Sequence, residues 1–280
     1  MLKQGIILLA TGSPFYGRMS YNIALSIKAV DKDFPVALVS DMAALTHLSA
    51  TQREIFDHHI PADGLESFGA KLHLDLLSPF EQTLYLDVDM AWFPKRSPRD
   101  LIRSLKEHDF ASITEGHSED PHPKYYFWAD LPEIREVYKV DKVYQWRSEV
   151  MYFSRSERVA AMFSRARDIY AFPGLSTIHR FGQHIPDELA INIATALYGI
   201  EPHQYKWTPA YWPRMHGESN GDLDSLYTQY YALSCGSNAV SQQTTRLYDR
   251  VIKAAAYKMG VQYLFPMVNK KEVMKNRQAV

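Results

Sequence analysis

Thr83-Leu-Tyr-Leu-Asp-Val-Asp-Met-Ala-Trp-Phe93 sets a short apolar run in front of two carboxylates, Asp87 and Asp89, one residue apart. Leu84 to Asp87 reads as a buried central strand, because the run is brief, continuous and bounded by polar residues. On a strand the two acids would share one face at about 7 Å, and just past its end they can converge. Two carboxylates near a core repel each other and are costly to desolvate. A divalent cation removes that cost. Hard cations such as Mn2+ or Mg2+ take oxygen ligands and keep positions for substrate phosphates. The plainer reading of the same residues is a pair of solvated loop acids that hold no metal.

Working back toward the N-terminus, Gly5 to Ala10 predicts a continuously apolar strand that ends in the turn-prone Thr-Gly-Ser-Pro at 11–14. A helix follows, capped by Ser20, with Ile23, Ile27 and Val30 on one face. After Pro35, Val36 to Asp41 reads as a second buried strand and His58 to Ala62 as a third, while Phe68 to Leu77 is helical up to Ser78-Pro79. Strand, helix and strand at this spacing imply an α/β fold: a mostly parallel, Rossmann-like sheet with helices on both faces. Ligands of such sheets bind beyond the carboxyl ends of the strands, where Asp87 and Asp89 fall.

Towards the C-terminus the pattern is less regular. Asp120 to Trp128 and Trp207 to Pro213 mix prolines with aromatics, which suits core packing or a stacking platform for a sugar or base. Val150 to Phe153 suits a strand; Ser156 to Tyr170 and Pro186 to Tyr198 suit helices. From Thr244 to Met259 the chain is amphipathic, with Leu247, Val251, Ala255 and Met259 on one stripe.

Composition narrows the setting. The single cysteine, Cys235, excludes an intrachain disulfide and a multi-cysteine metal site, and is expected as a small core residue in a reducing cytoplasm. No apolar run is long enough to span a membrane, and the one near the N-terminus is too short for a signal peptide. The formal net charge is −1, yet residues 241–280 carry a balance of +6 and the rest −7. That basic end suits an anionic surface, a membrane leaflet or nucleic acid, or simply a solvated helix face. Peripheral association with a membrane is compatible with it.

The match extends beyond the acid pair. Lys71-Leu-His-Leu-Asp-Leu-Leu77 followed by the 83–90 block resembles the glycogenin-like family-8 glycosyltransferases of the GT-A fold, which run a lysine-bearing helix into a strand ending in D-x-D. Further elements keep the order over roughly residues 5–220. Thr11 and Tyr16 follow the first strand, where that family holds the nucleotide, and Val88 lies between the acids. Ser148-Glu149-Val150 takes the place of an N-S-G-V segment, with Arg147 and Glu149 departing from it. Asp187-Glu188 stands where the family has an Asp-Gln pair facing the donor sugar. His216-Gly217 resembles its late metal-ligand region.

The resemblance implies transfer of a sugar from a nucleoside diphosphate donor, a UDP-sugar, with retention of configuration. It implies Asp87, Asp89 and His216 as ligands of Mn2+ or Mg2+. Thr11, Tyr16, Lys71, Asp87, Val88 and Ser148 would meet the nucleotide or donor, and Asp187 and Glu188 would stand at the reacting sugar. The acceptor stays open between a saccharide or lipid-linked glycan and a modified nucleobase. Residues 1–240 are then one GT-A-like domain, and 241–280 a basic helical extension packed on it or projecting from it. A haloacid-dehalogenase-type phosphatase also ends a strand in D-x-D, but on its first strand and with Thr two residues after the second acid; here Met90-Ala91 follows. The departures at Arg147, Glu149 and Glu188 leave a second reading, an inactive nucleotide-sugar-binding or scaffold protein on the same fold.

Overall fold

The apolar run after Lys3 forms β1 (Leu2–Ala10), in which Ile6, Ile7 and Leu8 are fully buried, as expected of a strand covered on both faces. The computed structural model describes residues 2–62, 64–65, 68–119, 128–216, 222–236 and 242–266. The following helix, Pro14–Val30, starts six residues before Ser20. Ser13 is its cap, accepting from the Phe15 N–H at 3.3 Å, and Pro14 takes the first-turn position, where a missing N–H costs nothing. Ser20 lies inside the helix and donates to the Gly17 carbonyl at 2.7 Å. Gly17 lets the chain approach closely, since a Cβ there would come within 1.8 Å of the Ala44 carbonyl oxygen.

β2 (Val36–Ser40) is buried throughout, and β3 (His58–Pro61) pairs parallel to it with alternating burial, as befits a strand at the sheet's end. Phe68–His73 is a 3-10 turn that runs into the short α-helix Leu74–Leu77, where the sequence predicts one continuous helix. β4 (Phe80–Leu86) follows, then β5 (Met90–Trp92), β6 (Phe110–His117), β7 (Tyr144–Ser154), β8 (Ala210–Tyr211) and β9 (Ala232–Ser234). The larger sheet has the order β3-β2-β1-β4-β7-β6 and is mostly parallel, with β6 and β7 antiparallel; β5-β9-β8 form a smaller one. The α/β class expected from the sequence is therefore the class observed.

By contact the chain divides into two compact units, Met1–Ile7, Asp63–Tyr85 and Ser104–Thr208 in one, and Leu8–Ala62, Leu86–Arg103 and Pro209–Val280 in the other. The first has a core of interlocking rings: Phe110 packs edge-on to Trp146 at 5.5 Å, and Phe163 meets Phe153 at 5.3 Å. Within the second, the helix Gln242–Met259 buries Tyr248, Val251, Ile252, Ala255 and Ala256, so the apolar stripe is centred one residue beyond Leu247. Arg246, Arg250, Lys253 and Lys258 are exposed on it; the remaining basic residues of the tail lie outside the described residues. Among the described residues no helix is long and apolar enough to cross a membrane. Cys235 is buried, as expected.

Candidate functional site

In the second unit, three loops leave the carboxyl ends of β1, β2 and β4. β4 stops at Leu86, so Asp87, Val88 and Asp89 lie in a turn closed by the Met90 N–H to the Asp87 carbonyl at 3.3 Å. The acids are thus past the strand end, half-exposed, with Val88 buried between them. The Asp89 carbonyl accepts from the Cys235 N–H at 3.3 Å, which ties this turn to the end of β9. Thr11 follows β1, and its neighbour Gly12 donates its N–H to Asp41 at 2.5 Å. Asp41 also caps the short helix Met42–Leu45 through the Ala44 N–H at 2.8 Å, so one carboxylate holds two loops. Tyr16 is half-buried with its ring edge-on to Phe15 at 5.5 Å.

His216 ends the four-residue helix Pro213–His216 and is exposed. Its ring stacks on Tyr211 at 5.7 Å and tilts against Tyr230 at 5.2 Å. Nδ1 is engaged with the Trp212 backbone at about 3 Å, which leaves Nε2 as the atom a cation would take. Gly217 lies outside the described residues. Among the described residues no three His, Cys, Asp or Glu side chains are gathered into a set that could hold a metal ion, so no closed protein cage is present there. The Asp87 and Asp89 oxygens nevertheless suit a hard cation of the open kind, which keeps most of its positions for water and phosphate.

In the first unit a bulge does the positioning. β6 and β7 slip register between Ser112 and Ile113, where the partner jumps from Met151 to Arg147, so residues 148–150 swing out of the ladder. Ser112 braces the bulge by donating to the carbonyls of Arg147 and Val150. A bulge re-aims side chains and releases backbone groups from the ladder. The freed Ser148 N–H donates to Glu188 Oε1 at 3.3 Å, and the Ser148 hydroxyl accepts from Lys71 Nζ at 3.1 Å. Lys71 also stands 3.9 Å from Asp187 Oδ2 and 5.4 Å above the Tyr85 ring.

Asp187 and Glu188 open the helix Asp187–Leu197, where the N-terminal dipole favours acids. Their partners differ. Asp187 is buried and faces Lys71, whereas Glu188 accepts from the Trp128 indole N–H at 2.7 Å and from Arg147 Nη1 at 3.1 Å. Arg147 reaches Glu115 through its other terminal nitrogen at 2.9 Å. Burial alone would lower the Arg147 pKa; Glu188 and Glu115 outweigh it and raise it, so the guanidinium stays charged. Trp128 holds φ at 64°, a region costly for a bulky residue.

The structure therefore joins Lys71, Ser148, Asp187 and Glu188 in one network, and Asp87, Val88 and Asp89 in one turn. Sequence reading missed Glu115 and Asp41 and took Trp128 only as part of an aromatic cluster. Glu115 offers no local signal, because its role depends on pairing across a bulge. Asp41 was visible as the polar stop of β2. Of the aromatic cluster, residues 125–127 lie outside the described residues.

The mostly parallel α/β architecture is the GT-A fold. Among solved structures, the chain is similar to the bifunctional glycosyltransferase WbbM in its apo form, with a TM-score of 0.54, 11% identity, and coverage of 92% of this chain and 51% of that one. It is also similar to the galactosyltransferase LgtC in complex with donor and acceptor sugar analogues, with a TM-score of 0.51, 15% identity, and coverage of 93% and 97%. An active-site mutant of LgtC matches with a TM-score of 0.51 and 13% identity over 89% of this chain and 95% of that one. The chain spans about half the length of WbbM and nearly all of LgtC. No protein-family model and no curated protein sequence matches it.

Proposed function

We propose that this protein is a glycosyltransferase that moves a sugar from a nucleoside diphosphate donor, a UDP-sugar, to an acceptor with retention of configuration, with Mn2+ or Mg2+ held by Asp87 and Asp89. The observation that carries the reading is the acid pair in the turn after β4 of a GT-A fold. As the glycosidic bond breaks, negative charge gathers on the departing diphosphate. A cation there supplies Lewis-acid and template chemistry to those oxygens. His216 offers Nε2 as a further ligand, and Lys71 adds a point charge for the diphosphate. Thr11, Tyr16 and Val88 hold base and ribose, and Ser148 orients Lys71 through its hydroxyl. Asp187 orients the donor sugar or offsets positive charge at its anomeric carbon. Glu188 has Arg147, Trp128 and Ser148 on its two oxygens, and acts by positioning.

The acceptor is a saccharide, a lipid-linked glycan or a modified nucleobase, and the exposed basic side chains of Gln242–Met259 suit contact with an anionic membrane or nucleic acid. Nucleotide release measured across UDP-, GDP- and CMP-sugars with Mn2+ tests the reading. UDP release that disappears in Asp89→Asn is expected; no release from any donor sinks it. The charged Arg147–Glu188 pair favours one rival, an inactive nucleotide-sugar binder on this fold. That rival predicts a thermal shift with UDP and Mn2+ but no release.

A further inference from the structure

His108 and His203 are 95 residues apart in the chain, yet His203 Nδ1 lies 3.0 Å from His108 Nε2. Their rings are perpendicular, at 90°, with centroids 5.0 Å apart. We propose that this pair is a binding site for a late first-row divalent metal ion, with Zn2+ as its representative. Tetrahedral zinc with Zn–N bonds of about 2.0–2.1 Å needs its two donors about 3.3 Å apart, so these nitrogens stand within a few tenths of an ångström of that spacing.

Both rings are anchored on fixed backbone. The His108 N–H donates to the Leu105 carbonyl at 2.9 Å, and the next carbonyl, of Asp109, accepts from the Ser154 N–H at 2.8 Å. On the other side, Glu201 accepts from the Tyr144 hydroxyl, His203 packs edge-on to Trp207 at 5.2 Å, and the Trp207 carbonyl accepts from the Thr114 N–H at 2.9 Å. Fixed backbone on both sides limits what is lost on binding to turning the two rings from their mutual hydrogen bond onto the ion.

Imidazole nitrogens suit Zn2+, Ni2+ or Cu2+, unlike the hard oxygen donors at Asp87 and Asp89. Both carboxylates that flank His108 in sequence are already engaged: Asp109 receives Ser154 Oγ at 3.3 Å and Arg158 at 3.5 Å, and Glu107 pairs with Lys106 at 3.5 Å. With no three-ligand set among the described residues, water completes the coordination, which makes the ion exchangeable. Bound there, it would staple the turn after Leu105 to the segment 200–208 and stabilise the folded chain.

The test titrates Zn2+ alone by calorimetry into the full chain carrying Asp87→Asn and Asp89→Asn, so that uptake at the acid pair does not enter and the outcome is independent of the proposed transferase activity. One equivalent of Zn2+ is expected at about pH 7.5, weakened at least about tenfold by His108→Gln, by His203→Gln, and by titrating the unsubstituted histidines at about pH 5.5. Absence of binding, or binding unchanged by both substitutions or by the lower pH, overturns the proposal and leaves an imidazole–imidazole hydrogen bond. If a glutamine variant folds poorly, His108→Asn and His203→Asn repeat the arm that locates the site, because loss at the lower pH is common to any histidine donor.

Discussion

Arg147 sits between two acids, 2.9 Å from Glu115 and 3.1 Å from Glu188, with the three side chains 16%, 1% and 12% exposed. Removing the shared cation strands two carboxylates, and an orphaned buried charge of this kind costs about 3–5 kcal/mol. Arg147→Ala is therefore expected to lower stability by that order in chemical denaturation. Glu188→Gln, which leaves the Glu115 pair intact, should cost less than about 1.5 kcal/mol. The decisive comparison is the double variant: with one stranded charge removed, Arg147→Ala with Glu188→Gln should be more stable than Arg147→Ala alone, and strict additivity would refute the pairing. In the sequence Arg147 stood out only as a departure from the pattern of the family the chain resembles, and Glu188 both as a departure and as a candidate site residue. That they compensate each other is a fact of three-dimensional pairing, invisible along the chain. Glu133 gives a residue-level effect of pH. Its carboxylate accepts from the backbone and hydroxyl groups of Ser176 and Thr177, and these bonds, Thr177's first, pull its pKa from an ordinary 4.5 down to about 2. An acid with a depressed folded pKa stabilises above its unfolded value and loses that contribution as pH falls through the folded one. The melting-temperature advantage of the wild type over Glu133→Gln should be present at about pH 6 and vanish toward about pH 2; an advantage that persists there contradicts the assignment.

Elements were legible where one signal dominated and misplaced where two competed. β1, β2 and β4 came from short apolar runs, and each ends where a polar residue leaves the sheet. The first helix was misread because Ser13-Pro14 satisfies two descriptions at once, a turn and a helix start. The backbone chooses the second, since Ser13 accepts the Phe15 N–H and Pro14 has no N–H to lose. Ser13→Ala is expected to cost about 0.5–2 kcal/mol, whereas Ser20→Ala, which removes only a hydroxyl bonded to the Gly17 carbonyl, should cost less. Equal melting shifts for the two would restore Ser20 as the cap. β7 was seen only from Val150 because the bulge at 148–150 interrupts its ladder. That irregularity hid the strand and also aims Ser148 at Lys71 and Glu188, so the local signal failed where the candidate site is built.

At the scale of the molecule, alternation of strands and helices was enough to read the α/β class, because each crossover is local. What closes the second unit is not local. Tyr248, fully buried, accepts from Asn22 Nδ2 at 3.2 Å and donates to Met19 at 3.4 Å, across more than 220 residues of sequence. Asn22 gives its other amide hydrogen to the Phe265 carbonyl at 2.7 Å, so the helix Pro14–Val30 is bonded to both the last described helix and the segment after it. That explains why Pro14–Val30 is buried nearly all round although its sequence shows one apolar face. Tyr248→Phe removes the hydroxyl's bonds to both Asn22 and Met19 while Asn22 keeps Phe265, and should cost about 1–2 kcal/mol. Tyr248→Ala leaves a cavity against Met19 and Asn22 and should cost about 3–5 kcal/mol. Deleting residues 242–280 exposes the whole of that face at once, more than a domain of ordinary stability can lose. The shortened chain should show no cooperative melting transition; one that melts as the full chain does would show that the helix is an appendage and that the basic tail can be lost without cost to the fold.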